Sequence, residues 1–138
     1  HWKITIYPVF RMKVIMSNSS DPITIVGRFL EDYNTRLGAS FDILDIVQSH
    51  GLITHVQKNH PAMVGYMSNI ADILQNPDYI GMNPTVPDSI ELVKVYSDNI
   101  LVAIKLDASN GYYYIASLYD ITTAKLNKRI NNGRLIKY

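Results

Sequence analysis

Apolar positions in this chain follow two different periods. Before Tyr79 they mostly recur at spacings of three and four, as on one face of a helix; beyond it they alternate, as on a half-buried strand. The leading stretch Trp2 to Met16 is apolar and β-branched, with Pro8 and Arg11 in its middle. It is expected to form one bent strand or two short ones. Asn18-Ser19-Ser20-Asp21-Pro22 has the form of a helix start, with Asp21 as N-cap and Pro22 at the first helical position. Ile25, Val26, Phe29, Leu30, Tyr33 and Leu37 then repeat at helical spacing and Gly38 supplies a stop, which predicts a helix from Pro22 to Leu37. A second helix is expected from Phe41 to about Ser49, capped by Ser40 and stopped by Gly51.

The stretch Leu52 to His60 reads both ways, since Thr54 and Gln57 have capping-box spacing while Pro61 restricts what precedes it. Pro61 to Gln75 is helical again, in two pieces broken near Ser68, and Asn76-Pro77-Asp78 ends it. Three strands follow, Ser89 to Tyr96, Ile100 to Leu106 and Tyr112 to Tyr119. The short links Ser97-Asp98-Asn99 and Asp107 to Gly111 make them antiparallel neighbours. A short helix over Ala124 to Ile130 and a final edge strand over Arg134 to Tyr138 complete an α+β chain.

Composition narrows the class. At 138 residues the chain suffices for one domain, with 1–51 as leading elements and 52–138 as a core. With 47% hydrophobic and 18% charged residues it is not a disordered linker. No apolar run approaches the roughly 18–20 residues of a membrane span, so a soluble domain is expected. Thirteen Lys and Arg against twelve Asp and Glu leave +1, which excludes bulk attraction to nucleic acid but not a local basic cleft. The absence of cysteine removes disulfide scaffolds, zinc ribbons and thiol nucleophiles together. The chain starts His1-Trp2-Lys3, without initiator Met or signal peptide pattern, and is expected to be a domain cut from a longer polypeptide.

The common catalytic motifs fail: neither a phosphate-binding glycine loop, nor H-E-x-x-H, nor G-x-S-x-G is present. His50, His55 and His60 have no carboxylate among them, and two histidines five apart lie about 140° apart on one helix. No metal site and no cofactor are therefore expected. What remains is His55-Val56-Gln57-Lys58-Asn59-His60-Pro61, with two imidazoles and an ammonium beside a helix boundary. Metal-free RNA cleavage needs a base for the 2′-hydroxyl, an acid for the leaving 5′-oxygen, and a cation or donor for the charge gathering on phosphorus. Imidazole suits the first two roles because it ordinarily titrates near neutrality. Half-buried histidines on a helix face, and a histidine that only precedes a proline turn, are the competing reading.

The strands offer a second set. Simple alternation puts Tyr113, Ile115, Ser117 and Tyr119 on one face and Tyr114, Ala116 and Leu118 on the other. A hydroxyl and a phenol side by side can donate to phosphate. Lys94 shares its strand face with Leu92 and Tyr96, an odd place for an ammonium unless it meets an anion. Against this, Tyr and Ser are ordinary strand residues and Lys often snorkels from a sheet edge. Ten tyrosines against three Phe and one Trp would serve base stacking or a protein interface equally well.

The order of these features resembles a known family. His-x-x-Lys-x-His-Pro leads into Ile70-Ala71-Asp72-Ile73-Leu74-Gln75-Asn76-Pro77-Asp78-Tyr79-Ile80. Then come Leu92-Val93-Lys94-Val95, the apolar strand Leu101 to Leu106, Ser117-Leu118-Tyr119, and Arg129-Ile130-Asn131-Asn132-Gly133-Arg134. The pattern, over about residues 52–136, resembles the phage and polymorphic-toxin branch of the barnase–EndoU–colicin–RelE-like (BECR) ribonuclease superfamily. Its most specific piece is Ile-Leu-x-Asn-Pro-Asp ahead of a Lys-bearing strand. The resemblance implies N-terminal helices packed on a small, bent antiparallel sheet, with metal-independent RNA cleavage on its open face.

By motif, His55 and His60 become acid and base in either order, Lys94 the cation, and Ser117 and Tyr119 the phosphate-binding pair. Lys58, Tyr113 and Arg129 become substrate contacts. Many relatives carry Thr where Ser117 stands, which keeps the hydroxyl. The resemblance also implies a secreted or contact-delivered toxin domain acting in the target-cell cytoplasm on RNA, tRNA included, with a cognate immunity protein. The rivals are a non-catalytic phage or effector binding module of the same fold, and a nucleotidyl-group transferase. Against the latter stands the lack of glycines to cradle a nucleotide.

Overall fold

Ile23, Thr24, Ile25 and Val26 are β-branched in succession, and they decide the first fully described segment. In the computed structural model, which describes residues 13–16 and 22–138, Pro22–Arg28 is a strand (β2), paired antiparallel with β1, Lys13–Met16. This corrects the expected helix over Pro22 to Leu37. Only Glu31–Leu37 is helical (α1), and it ends as expected at Gly38, whose φ of 64° is left-handed. The misreading has a physical source. A register shift between Ile25 and Gly27 marks a bulge, so Ile25 and Val26 are buried in succession and the strand imitates helical spacing. The proposed cap Asp21 and most of the leading strand Trp2 to Met16 lie outside the described residues.

The second expected helix is also a strand. Asp45–Ser49 (β3) pairs antiparallel with β2, and Gly51 is no stop but lies inside the next helix, α2, His50–Asn59. That settles the ambiguous stretch as helix. A 3-10 helix, Pro61–Asn69, and α3, Ile70–Gln75, reproduce the expected two pieces.

After them come β4 (Tyr79–Met82), β5 (Ser89–Val95), β6 (Asn99–Lys105), β7 (Tyr113–Ile121), α4 (Thr123–Asn131) and β8 (Ile136–Lys137). Thr122 caps α4, its hydroxyl accepting from the Lys125 amide at 3.1 Å. The strands form one sheet in the order β1-β2-β3-β7-β6-β5-β4-β8, antiparallel throughout except where β3 runs parallel to β7. The architecture is thus α+β as expected. In place of two N-terminal helices on a small antiparallel sheet, however, the leading segments extend the sheet itself, which is larger and mixed.

The sheet is packed on both faces. On one, Ile90, Leu92, Ile100, Val102 and Ile104 meet Leu52 and Val56 of α2, Met63 of the 3-10 helix, and Ile70, Ile73 and Leu74 of α3. On the other, Val93, Leu101 and Ile121 meet Leu126 of α4 and Leu135 of the segment after it. Each such side chain, fully buried, contributes about 1.5–3 kcal/mol, which fixes both helical layers to the strands. No helix among the described residues is long and apolar enough to cross a membrane.

Candidate active site

Proline chemistry aims the first of the two expected site histidines. Pro61 disfavours helical geometry in the residue before it, and His60 leaves α2 with φ −141° and ψ 57°. Its amide still closes the last turn onto the Val56 carbonyl at 2.8 Å, while its ring stacks on Tyr119, centroids 5.6 Å apart and planes 29° apart. One turn earlier, His55 is exposed on α2. Its Nε2 lies 3.4 Å from Ser117 Oγ, and Asn59 Nδ2 lies 3.1 Å from both its Nδ1 and its carbonyl oxygen. The two imidazole centroids are 6.1 Å apart.

Sheet topology makes this meeting possible. The parallel ladder of β3 with β7 stops at Val47 and Tyr114, and the chain then turns at once into α2, which packs beside β7. A register shift in β7 does the rest. Ile104 pairs with Ile115 but Ala103 pairs with Ser117, so Ala116 is an extra residue and the alternation inverts there. Tyr113, Ile115 and Leu118 therefore share the larger core, whereas Tyr119 and Ile121 belong to the smaller core on the opposite face. Ser117 and Tyr119 are half-buried on that opposite face, not beside Tyr113 and Ile115 as simple alternation required.

The same face carries a charge cluster. Reading across the sheet, Glu91 of β5, Ala103 of β6 and Ser117 of β7 form one row, and Val93, Leu101 and Tyr119 form the next. Glu91 is fully buried and takes two hydrogen bonds from Arg134, from Nε and Nη2, both at 2.9 Å. Arg129 on α4 brings Nη1 to 3.9 Å from Glu91 Oε2, and that nitrogen is buried without a hydrogen-bond partner. A fork-to-fork arginine–carboxylate pair is strong and directional, and removing one buried partner typically costs about 3–5 kcal/mol. The Glu91 hydrogen bonds raise Arg134 above the ordinary arginine range, and the Tyr119 phenol is close enough to add to the effect. Arg134, Glu91 and Arg129 thus form one charged group, and Tyr119, stacked on His60, lies on the same sheet face. Strand spacing puts Glu91 roughly 10 Å from Ser117, with only the half-buried methyl of Ala103 between them.

Gly81 of β4 pairs with Glu91 and makes room for this arrangement. A Cβ there would stand 1.8 Å from the Arg134 carbonyl oxygen, so the chain carrying Arg134 passes over β4 only because Gly81 has no side chain. An open cavity of about 760 Å³, lined by Arg36, Met82, Asn132, Arg134 and Ile136 among others, lies beside β8 and contains neither histidine.

Of the expected residues, the structure brings together His55, His60, Ser117 and Tyr119, and places Arg129 beside Glu91, two strands across from Ser117. Lys58 is exposed on α2 one turn from His55. Two others lie elsewhere. Lys94 sits on the Leu92 side of the sheet, where its ammonium is 3.7 Å from Asp78. Tyr113 is buried with its ring against Phe29 and its hydroxyl donating to the Asp42 carbonyl at 2.8 Å; burial raises its pKa. Glu91, Ala103 and Arg134 escaped sequence reasoning. The signal available for Glu91 was a carboxylate inside the apolar run Ile90 to Val93, a position where charged residues are rare unless paired.

Two imidazoles from a helix end, meeting a hydroxyl and a phenol at the edge of a sheet face that also carries two guanidiniums around one carboxylate, are groups suited to handling a phosphodiester. The family model of the phage-Barnase-EndoU-ColicinE5/D-RelE like nuclease3 family matches residues 24–128, and the chain belongs to this nuclease family. The match ends one residue before Arg129. No curated protein and no solved structure matches the chain.

Proposed function

We propose that this domain is a metal-independent endoribonuclease in which His55 and His60 act as the acid–base pair. The observation carrying this reading is the convergence of the two imidazoles, 6.1 Å apart, on Ser117 and Tyr119 at the rim of the face that holds Arg129 and Arg134. One imidazole takes the proton of the 2′-hydroxyl. The 2′-oxygen attacks phosphorus, the bond to the 5′-oxygen breaks, and the other imidazole gives that oxygen a proton. The products are a 2′,3′-cyclic phosphate and a 5′-hydroxyl, with no water consumed. Ser117 and Tyr119 donate to the non-bridging oxygens, and the arginines take the role of cation first assigned to Lys94.

The test is cleavage of a mixed RNA substrate in EDTA. Activity should persist, leave cyclic phosphate ends and fall on both sides of an optimum pH. Loss of cleavage in EDTA that added divalent ion restores would refute metal independence. A delivered antibacterial toxin held by an immunity protein is the biological setting the family resemblance suggests. Expression in a bacterial cytoplasm should then arrest growth, and a cognate inhibitor should relieve it. Harmless expression of a folded domain would favour a binding module instead.

A further inference from the structure

Glu91 invites assignment as a proton-transfer group, since it is a carboxylate in the row of Ser117. Its geometry argues otherwise. Both oxygens are engaged by the Arg134 fork, it is fully buried, and Arg129 approaches the same carboxylate. Two guanidiniums around one carboxylate leave one surplus positive charge, and one buried donor, Arg129 Nη1, has nothing to donate to. Buried donors are normally satisfied. Facing this group across Ala103 is Ser117, with His55 behind it.

We infer that Glu91 is a positioning residue: it holds Arg134 and Arg129 so that the Arg129 guanidinium, on a side chain still 14% exposed, meets a non-bridging oxygen of the scissile phosphate, which lies over Ala103 between the arginines and Ser117. This rests on the nuclease reading above and deepens it. The arrangement also fixes the sign of an unusual effect. Removing the Glu91 charge makes the site more positive, so an anionic substrate binds at least as well, while the guanidiniums lose their aim and the transition state loses its donor. Binding and turnover then move in opposite directions. A purely structural carboxylate would lower both through unfolding, and a general base would abolish one limb of the pH–rate profile.

The experiment measures two quantities on wild type, Glu91→Gln, Arg129→Lys and Arg129→Ala. One is the affinity of a non-cleavable 2′-O-methyl RNA hexamer; the other is steady-state cleavage of the matching RNA across pH. Glu91→Gln should bind the hexamer as tightly as wild type or tighter and lose about 100-fold in kcat, with both limbs of the pH profile kept. Arg129→Lys, which keeps the charge without the fork, should bind nearly normally and lose roughly 10- to 100-fold in kcat. Arg129→Ala should weaken hexamer binding about tenfold or more. Loss of the limb in Glu91→Gln, or wild-type kcat in that variant or in Arg129→Lys, overturns the inference. If Glu91→Gln does not fold, Arg129→Lys carries the test. If wild type cleaves no RNA, the nuclease reading fails separately. Hexamer binding then still judges the phosphate site, and an unchanged affinity in Arg129→Ala overturns it.

Discussion

Replacing Gly81 by alanine adds a single methyl group and should damage chemistry at a distance from it. The new Cβ would stand 1.8 Å from the Arg134 carbonyl oxygen and 3.2 Å from Leu135 Cδ2. A carbon and an oxygen approach no closer than about 3.3 Å, so a displacement of about 1.5 Å is required. β4 cannot supply it, because four residue pairs hold it to β5. The segment over it is held more weakly: β8 adds only two pairs to β4, Tyr79 with Lys137 and Ile80 with Ile136. Arg134 and the buried Leu135 should therefore move. Overpacking of this kind costs about 1–3 kcal/mol, equivalent in a chain of this size to a fall in Tm of about 4 °C per kcal/mol. The guanidinium that Glu91 holds at 2.9 Å moves with its backbone, and a misplacement of about 1 Å in a positioned group costs roughly 100-fold in rate. Thermal melts and RNA cleavage below the transition should be read together. Gly65→Ala is the control, since a Cβ there meets nothing within 4 Å, and it should leave both unchanged. A Gly81→Ala protein with wild-type kcat would mean that Arg134 is not held against β4 or does not serve the reaction.

The other expectations separate site from scaffold. His55→Ala and His60→Ala should each lose about 10²–10⁴-fold in cleavage with little change in Tm, His55 being exposed and His60 half-buried; two destabilised proteins of normal specific activity would make both histidines packing residues. Lys94→Ala should cost at most about 1 kcal/mol, through its ion pair with half-exposed Asp78, and leave kcat nearly unchanged; a 100-fold loss would restore Lys94 as the reaction's cation. Burial and the hydrogen bond to Asp72 push the Tyr96 phenol up to about 12 from 10.0. The unfolded chain therefore releases this proton first, and the contribution is intact below pH 10 and lost as pH rises towards 12. Melts from pH 8 to 12 should show an alkaline fall that is shallower in Tyr96→Phe, and identical slopes would dismiss the Asp72 contact.

Local chemistry settled much of this protein. Pro61 ended the helix at Asn59 by turning His60 out of helical geometry, Gly38 stopped α1, Thr122 capped α4, and the alternation in β5 and β6 placed the central meander. Each of these depends on neighbours a few residues away, which a sequence displays. Two single-residue bulges did not show themselves. The one at Val26 let a strand imitate a helix, and the one at Ala116 reversed which face carries Ser117 and Tyr119. A bulge exists only relative to a partner strand, and the partner is set by pairing across the sheet. The same holds for the Glu91–Arg134 pair, whose members are 43 residues apart, and for Gly81, whose missing side chain matters only because the Arg134 backbone crosses it. The sequence alone determined that two histidines stand within six residues of each other just before Pro61 and that an antiparallel meander follows. Tertiary structure decided which sheet face those histidines meet and which cations wait there, because facing residues are chosen by strand register and not by spacing along the chain.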